Sequence, residues 1–301
     1  MAARGDNNFM RYVYIGQEDE FIPLRATHII VHESVKVILA DAFLHRVNIV
    51  EVICREDVEK IEFAAFYYCR SLRRVIMPGV TIVEEEVFYE CNALTDVECG
   101  KLEIIGIGAF YSCASLKSIN LPSARIVGEG AFCACIALTD ATFGSKLERF
   151  DRGAFLKCIS LAQITIPLKD GIIPHDSVFA ECRNLKHVDL VESSLIQDTI
   201  AALHLEEWRS DMKEEIDSIN QTLPTADAGE VGDAGEKAVS IRTWIGSDLR
   251  QLGRYKAEHC RILDEDVAPT LQHVLPQDIV MNSILPFLEL PSNSTSRVIA
   301  T

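Results

Sequence analysis

Ala109-Phe110-Tyr111-Ser112-Cys113-Ala114-Ser115-Leu116-Lys117-Ser118-Ile119-Asn120-Leu121-Pro122 is the stretch that decides how this chain folds. It holds a small residue, a phenylalanine, a cysteine three places on and a leucine six places on. The same small-Phe pair stands at Ala42-Phe43, Ala65-Phe66, Val87-Phe88, Ala131-Phe132, Ala154-Phe155 and Val178-Phe179. Successive phenylalanines are 23, 22, 22, 22, 23 and 24 residues apart. A fixed period in the twenties predicts a stacked solenoid, because one such unit can bury its apolar side only against its neighbours.

With the phenylalanine as zero, position +3 is Cys69, Cys91, Cys113, Cys135, Cys158 and Cys182, with Arg46 in the first repeat. Position +6 is Leu72, Leu94, Leu116, Leu138, Leu161 and Leu185, with Ile49 in the first. Position +9 reads Val52, Val75, Val97, Ile119, Ala141, Ile164 and Val188, and position −5 is apolar except for Pro174. Alternation from +9 to +11, rich in β-branched residues, predicts a short strand with one buried face. Pro or Gly then closes the segment, as in Met77-Pro78-Gly79 and Leu121-Pro122.

Stacking places the cysteines in a column, which separates three readings of them. A zinc site needs four donors converging at about 2.3 Å on one ion, and a straight column stepped by about 4.8 Å does not converge. A disulfide needs Cβ atoms ~3.8 Å apart, closer than that step. The remaining reading is packing, with small thiols filling a tight inner corner. Cys133-x-Cys135 imitates a chelating pair, but Cys135 belongs to the column and Cys133 falls at +1, where other repeats carry Tyr or Leu. Gly106-x-Gly108 and Gly128-x-Gly130 imitate dinucleotide loops, yet they recur at the repeat spacing and read as turns. No Gly-Lys-Ser/Thr loop, Gly-x-Ser-x-Gly elbow or His-Glu-x-x-His pair occurs, so no catalytic, cofactor-binding or metal-ligating residue is assigned.

The formal charge is −16. Residues 1–191 carry 26 acidic and 20 basic side chains, and residues 192–301 carry 19 and 9. Neither part has the cationic surplus that neutralising phosphates requires, which excludes nucleic acid and anionic membrane surfaces as expected partners. The first residues show no apolar signal core and no apolar run is long enough to span a bilayer, so an intracellular location is expected, with reduced thiols.

The repeat string resembles the BspA-type leucine-rich repeat, over about half of the chain and with register kept. The lead-in and the tail resemble those of the many such proteins in single-celled algae and related protists. In the tail the resemblance rests on Trp208, Met212, Trp244-Ile245, Tyr255, His259 and Ile284-Leu285-Pro286-Phe287-Leu288. It implies a curved solenoid that binds a ligand, in some members at a cell surface, and it implies no catalytic residues.

The expected organisation is a β-rich leucine-rich-repeat solenoid of about seven repeats with a C-terminal α-helical hairpin. Residues 1–32 read as a β cap in hairpin form: Phe9 to Ile15, a turn at Gly16, then Thr27 to Val31. His28 and His32 within it read as solvated or core histidines, since both point to one strand face two steps apart. Residues 33–191 are the repeats. Residues 192–223 form helix 1, with Trp208, Met212, Ile216, Ile219 and Leu223 on one stripe. Residues 224–236 are a flexible acidic linker by composition. Residues 237–291 hold helix 2, striped by Ile241, Ile245, Leu249, Leu252, His259, Leu263, Val267 and Leu271, and an apolar docking segment; residues 292–301 are expected to be a disordered tail. A two-helix hairpin is marginal alone, so it is expected to pack on the last repeat or on another chain.

Strand positions +8 and +10 point away from the core and make the expected partner-binding face. They include Glu51, Arg74, Asp96, Glu98, Ser118, Asn120, Asp140, Gln163, His187 and Asp189. Five acids against one arginine, with no aromatic, predict a protein partner with a basic or hydrogen-bonding surface. The expected function is a non-catalytic interaction scaffold, with self-association through the helices as a second contact. A surface adhesin or receptor is the alternative, and a thiol-dependent enzyme the least supported one.

Overall fold

The computed structural model describes residues 9–191 and 236–262. Short strands alternate along the chain between two sides of a solenoid. In order they are β1 (Arg11–Tyr14), β2 (His28–Val31), β3 (Val37–Ile38), β4 (Glu51–Ile53), β5 (Lys60–Ile61), β6 (Arg74–Ile76), β7 (Ile82–Val83) and β8 (Asp96–Glu98). They continue as β9 (Ile104–Ile105), β10 (Ser118–Leu121), β11 (Ile126–Val127), β12 (Asp140–Phe143), β13 (Arg149–Phe150), β14 (Gln163–Pro167) and β15 (His187–Val191). One side carries a five-stranded sheet, β1-β2-β4-β6-β8, and a four-stranded sheet, β10-β12-β14-β15. The other carries the six-stranded sheet β3-β5-β7-β9-β11-β13. Every ladder is parallel, because each coil returns to its starting edge before the next begins.

Between the sheets the column residues form one continuous core. Phe43, Phe66, Phe88, Phe110, Phe132, Phe155 and Phe179 are buried. Their rings stack face to face at 4.8, 5.4, 5.1, 5.2, 5.3 and 5.6 Å. The Leu and Cys columns are buried beside them. The repeat spacing and the ring-stacking distance nearly coincide, so one apolar residue per coil suffices to build an unbroken aromatic ladder.

The turn around each phenylalanine makes a third backbone ladder. The amides at −2, 0 and +2 donate to the next coil's carbonyls at −3, −1 and +1, as in Asp41 N to Phe63 O (3.0 Å), Phe43 N to Ala65 O (2.8 Å) and His45 N to Tyr67 O (2.9 Å). Positive φ at −2 and +2 turns these alternate amides the same way. The +2 residues His45, Tyr68, Glu90, Ser112, Ala134, Lys157 and Glu181 all lie between 52° and 63°. Such a conformation costs an L-residue roughly 1–2 kcal/mol, and the ladder holds it in place.

The two Gly-x-Gly pairs serve this geometry. Gly108 has φ of +57°, and a Cβ on Gly106 would stand 2.4 Å from the carbonyl carbon of Glu84 in the previous coil. Gly106→Ala must push two coils apart and is expected to lower stability by about 1–3 kcal/mol in urea unfolding. Gly100 meets nothing within 4 Å, so Gly100→Ala is the matched control and should change little. Equal losses from the two would remove the close-approach explanation.

The N-terminal cap differs from the expected hairpin. β1 pairs with β2 in parallel, Arg11 opposite His28 and Tyr14 opposite Val31, so it is a first coil rather than the arm of a turn. The reason is burial: Tyr14, Ile22 and Ala26 sit in the common core, which draws the connection between the strands across the end of the stack. Glu20 closes the corner. Its carboxylate accepts from the amides of Ile15 (3.0 Å), Gly16 (2.8 Å) and Gln17 (3.2 Å) and from the Tyr12 hydroxyl (2.8 Å). Burial and this carboxylate push the Tyr12 hydroxyl up to about 12. The arrangement sequesters amides that would otherwise extend an open sheet edge.

At the other end the helix α1 (Glu236–Ile262) lies on the last repeat. Ala238, Ile241 and Ile245 are buried in the solenoid core, with Trp244 and Leu249 packed against it. Their spacing is one face of a 3.6-residue period. The Lys237 ammonium donates to the carbonyls of Cys182 (2.6 Å), Arg183 (3.2 Å) and Leu185 (2.9 Å), and Arg242 pairs with Asp176. Burial holds the Lys237 ammonium below its usual range. The stretches expected as helix 1, as the linker up to residue 235, and as the docking segment and tail from residue 263 lie outside the described residues.

Candidate interaction faces

The strand face expected to bind a partner is assembled by the ladders. Glu51, Arg74 and Asp96 stand opposite one another on β4, β6 and β8, with Glu98 two places along β8. Ser118, Asp140, Gln163 and His187 form the matching row across β10, β12, β14 and β15, with Asn120 and Asp189 in the row beside it. All ten are half-buried or exposed. The two groups belong to separate sheets, since β8 is not laddered to β10, and Val97 at that seam is only partly covered.

The charges are less free than the residue types imply. Arg74 reaches Asp96 at 3.0 Å, Glu98 at 2.6 Å and Glu51 at 3.7 Å, so one guanidinium serves three of the five acids. Pairs this exposed contribute little to stability, about 0–1 kcal/mol, but they fix the side chains' orientation. On the second sheet Gln163 donates to Asp189, and the Thr139 hydroxyl donates to Asp140 at 2.6 Å. The row at +10 begins apolar: Ile30, Ile53 and Ile76 precede Glu98, with Val13 exposed at the edge on β1.

The cysteines have a role that apolar filling does not describe. Each column thiol donates to the carbonyl of the phenylalanine one coil earlier. The distances are 3.1 Å (Cys69 to Phe43), 3.2 Å (Cys91 to Phe66), 3.3 Å (Cys113 to Phe88), 3.1 Å (Cys135 to Phe110), 3.0 Å (Cys158 to Phe132) and 3.0 Å (Cys182 to Phe155). The first repeat departs from the column, with Arg46 at +3. Burial pushes Cys54, Cys69, Cys99 and Cys135 up to about 12, and it raises Cys91, Cys113 and Cys158 as well. Neutral, buried thiols are poor nucleophiles and poor ligands. The nine cysteines among the described residues are unpaired and buried. Cys133 stands apart from the column beside Tyr111, and burial raises its thiol too.

Among the described residues no group of three or more His, Cys, Asp or Glu is placed to hold a metal ion. His28 contacts the Thr27 hydroxyl and His32 the Ser34 hydroxyl, so the two histidines do not converge. No helix among these residues is long and apolar enough to cross a membrane.

The strand-face reading missed an aromatic surface on the turn ladder. Tyr67, Tyr89 and Tyr111 occupy +1 in three consecutive coils and stack at 4.9 and 4.6 Å, with interplanar angles of 15° and 4°. Tyr68 lies beside them, 4.6 Å from Tyr67, and His45 stacks on Tyr68 at 5.1 Å. The signal was in the repeat register, as tyrosine at one position in three units, but a turn position carries no sign of which way it faces.

A family model described as the BspA type leucine rich repeat region matches residues 17–124 and 103–201, in six copies. Among solved structures, a leucine-rich repeat protein from Bacteroides ovatus is 24% identical, with 57% of this chain and 47% of that one covered and a TM-score of 0.48. The chain thus spans about half the length of that protein. The leucine rich repeat protein TpLRR from T. pallidum is 22% identical over 64% of this chain and 82% of its own, with a TM-score of 0.45. A leucine rich cell surface protein from Faecalibacterium prausnitzii is 15% identical over 57% and 81%, with a TM-score of 0.22. No curated protein matches. The family model covers more than half of the chain, and the chain belongs to the BspA-type leucine-rich repeat family.

Proposed function

We propose that this protein is a non-catalytic interaction scaffold that binds another protein on the strand face of its solenoid. The observation that carries this reading is the face itself. Ten solvent-facing side chains, Glu51 to Asp189, are held in two-residue register on laddered strands, so their spacing is preorganised. The membership of the chain in a leucine-rich repeat family supports a role in protein binding. Raised, buried thiols give a thiol-dependent enzyme no activated nucleophile. The surviving acids favour a partner that is basic or rich in hydrogen-bond donors. The nine unpaired thiols among the described residues suit a reducing compartment, which favours an intracellular partner.

The test is a cross-linking pull-down with full-length protein and an Asp96→Asn, Glu98→Gln, Asp140→Asn, Asp189→Asn variant. The variant is expected to lose partners that the wild type retains. Partners retained in full by the variant would defeat the strand-face reading. Imaging an N-terminally untagged chain separates an intracellular scaffold from a surface binder.

A further inference from the structure

We propose that the turn face of the second to fifth repeats is a separate docking surface for an extended arginine- or lysine-bearing segment of another protein. The tyrosine column supplies its contact area and the glutamates around the column select the charge.

The fold does not require tyrosine there. Position +1 is Leu44 in the first repeat, Leu156 in the sixth and Ala180 in the seventh, so the turn ladder forms without an aromatic. Tyr67, Tyr89 and Tyr111 are nevertheless in consecutive coils, half-buried and stacked, with Tyr68 and His45 widening the surface. Phe63 and Ile107 are exposed at −3 in two of the same coils, 44% and 49% respectively. Stacked tyrosines are rigid, with apolar bodies and hydroxyl tips, which suits them to binding at low entropic cost.

The surrounding charge selects the occupant. Glu85, Glu86 and Glu129 lie at −3 and −2 of these coils, and Glu90 at +2. A Cβ on Gly108 would stand 3.8 Å from Glu86 Cγ, from Tyr111 Cβ and from a Tyr89 ring carbon, so Glu86 borders the column directly. Among the described residues no cation lies within ion-pair distance of Glu85, Glu86 or Glu129. Arg70 displays the mode of recognition within the protein. Its guanidinium lies 4.7 Å over the Tyr68 ring and 3.0 Å from the Glu90 carboxylate. A ring and a carboxylate together hold a guanidinium there, with Glu90 also accepting from the Tyr68 hydroxyl at 2.9 Å, and Glu86 sets a second carboxylate beside the Tyr89–Tyr111 stack with no internal cation on it.

The probe is a short fluorescein-labelled peptide of alternating arginine and serine, compared with its glutamate counterpart, on full-length protein at near-physiological salt. Tyr89→Leu with Tyr111→Leu keeps the net charge and introduces a residue the ladder already accepts at that position. Glu85→Gln with Glu86→Gln is matched by Asp96→Asn with Glu98→Gln on the strand face, which removes the same charge elsewhere. The arginine peptide is expected to bind in preference, and the tyrosine pair and the Glu85/Glu86 pair each to weaken it about tenfold, with the Asp96/Glu98 pair changing it less than about twofold. Equal weakening by the two charge-matched pairs would reduce the effect to net charge and overturn the proposal. Binding unaffected by the tyrosine pair, or no preference for arginine, would overturn it also. These failures leave the strand-face reading standing, because its test reads capture of a protein partner and not binding of the peptide.

Discussion

Phe110→Ala is expected to lower the unfolding free energy by about 3–5 kcal/mol, the range for truncating a fully buried aromatic. The ring is inaccessible and lies between Phe88 at 5.1 Å and Phe132 at 5.2 Å. Both of its faces therefore lose a stacking partner, and the coils on each side cannot collapse into the gap while the backbone ladders hold their spacing. In a solenoid each unit contacts only its neighbours, so a mid-stack break also uncouples the two flanking segments. Urea unfolding should show the lower midpoint, and a reduced m-value if the two segments melt separately. Phe110→Leu should recover more than half of the loss. A Phe110→Ala cost below about 1 kcal/mol would mean that the ladder is not the main source of cohesion.

Alkaline unfolding is the second large expectation. Cys54, Cys69, Cys99 and Cys135 are pushed by burial from an ordinary 9.0 to about 12. For a group whose folded pKa is raised, the unfolded chain releases its proton first, so the stabilisation is complete below pH 9 and is lost as pH rises toward 12. Each thiol then removes about 1.4 kcal/mol per pH unit, and the four together roughly 5 kcal/mol per unit. Since domains of this kind hold about 5–15 kcal/mol in all, the stack should unfold between about pH 10 and pH 12. Circular dichroism against pH reads this directly. A protein that keeps its β signal and its urea midpoint through pH 11 would contradict the burial of the thiols. Cys135→Ala should make the loss of stability above pH 9 shallower by about 1.4 kcal/mol per pH unit, because it removes one titrating group, while lowering stability below pH 9 through the lost hydrogen bond to Phe110 O.

The packing columns were legible in the amino-acid sequence because a period of 22 to 24 residues leaves a column only one neighbour above and one below. Phe, Leu and the +9 residues need no further geometry to be placed inside. The strand-face residues Glu51 to Asp189 were placed by the same alternation. What sequence patterning misjudged was direction. Phe9 to Ile15 and Thr27 to Val31 read as two alternating segments with a turn between, and alternation has no polarity, so parallel and antiparallel pairing look alike. Burial of Tyr14, Ile22 and Ala26 decided for parallel.

Likewise, three of the five acids expected to define the strand face share Arg74, and only the register of β4, β6 and β8 brings them within its reach. The sequence by itself determined a stack of coils, the residues inside it and the absence of a familiar catalytic motif, because those follow from residue type and period. Only the tertiary structure decided that the thiol of one coil satisfies the phenylalanine carbonyl of the coil before. It alone turned tyrosines at 22-residue spacing into a continuous surface, and it seated α1 on the final repeat. These are relations between residues a full coil or more apart. They depend on the handedness of the turn at −2 and +2, where positive φ aims successive amides and side chains, and hydropathy carries no record of that angle.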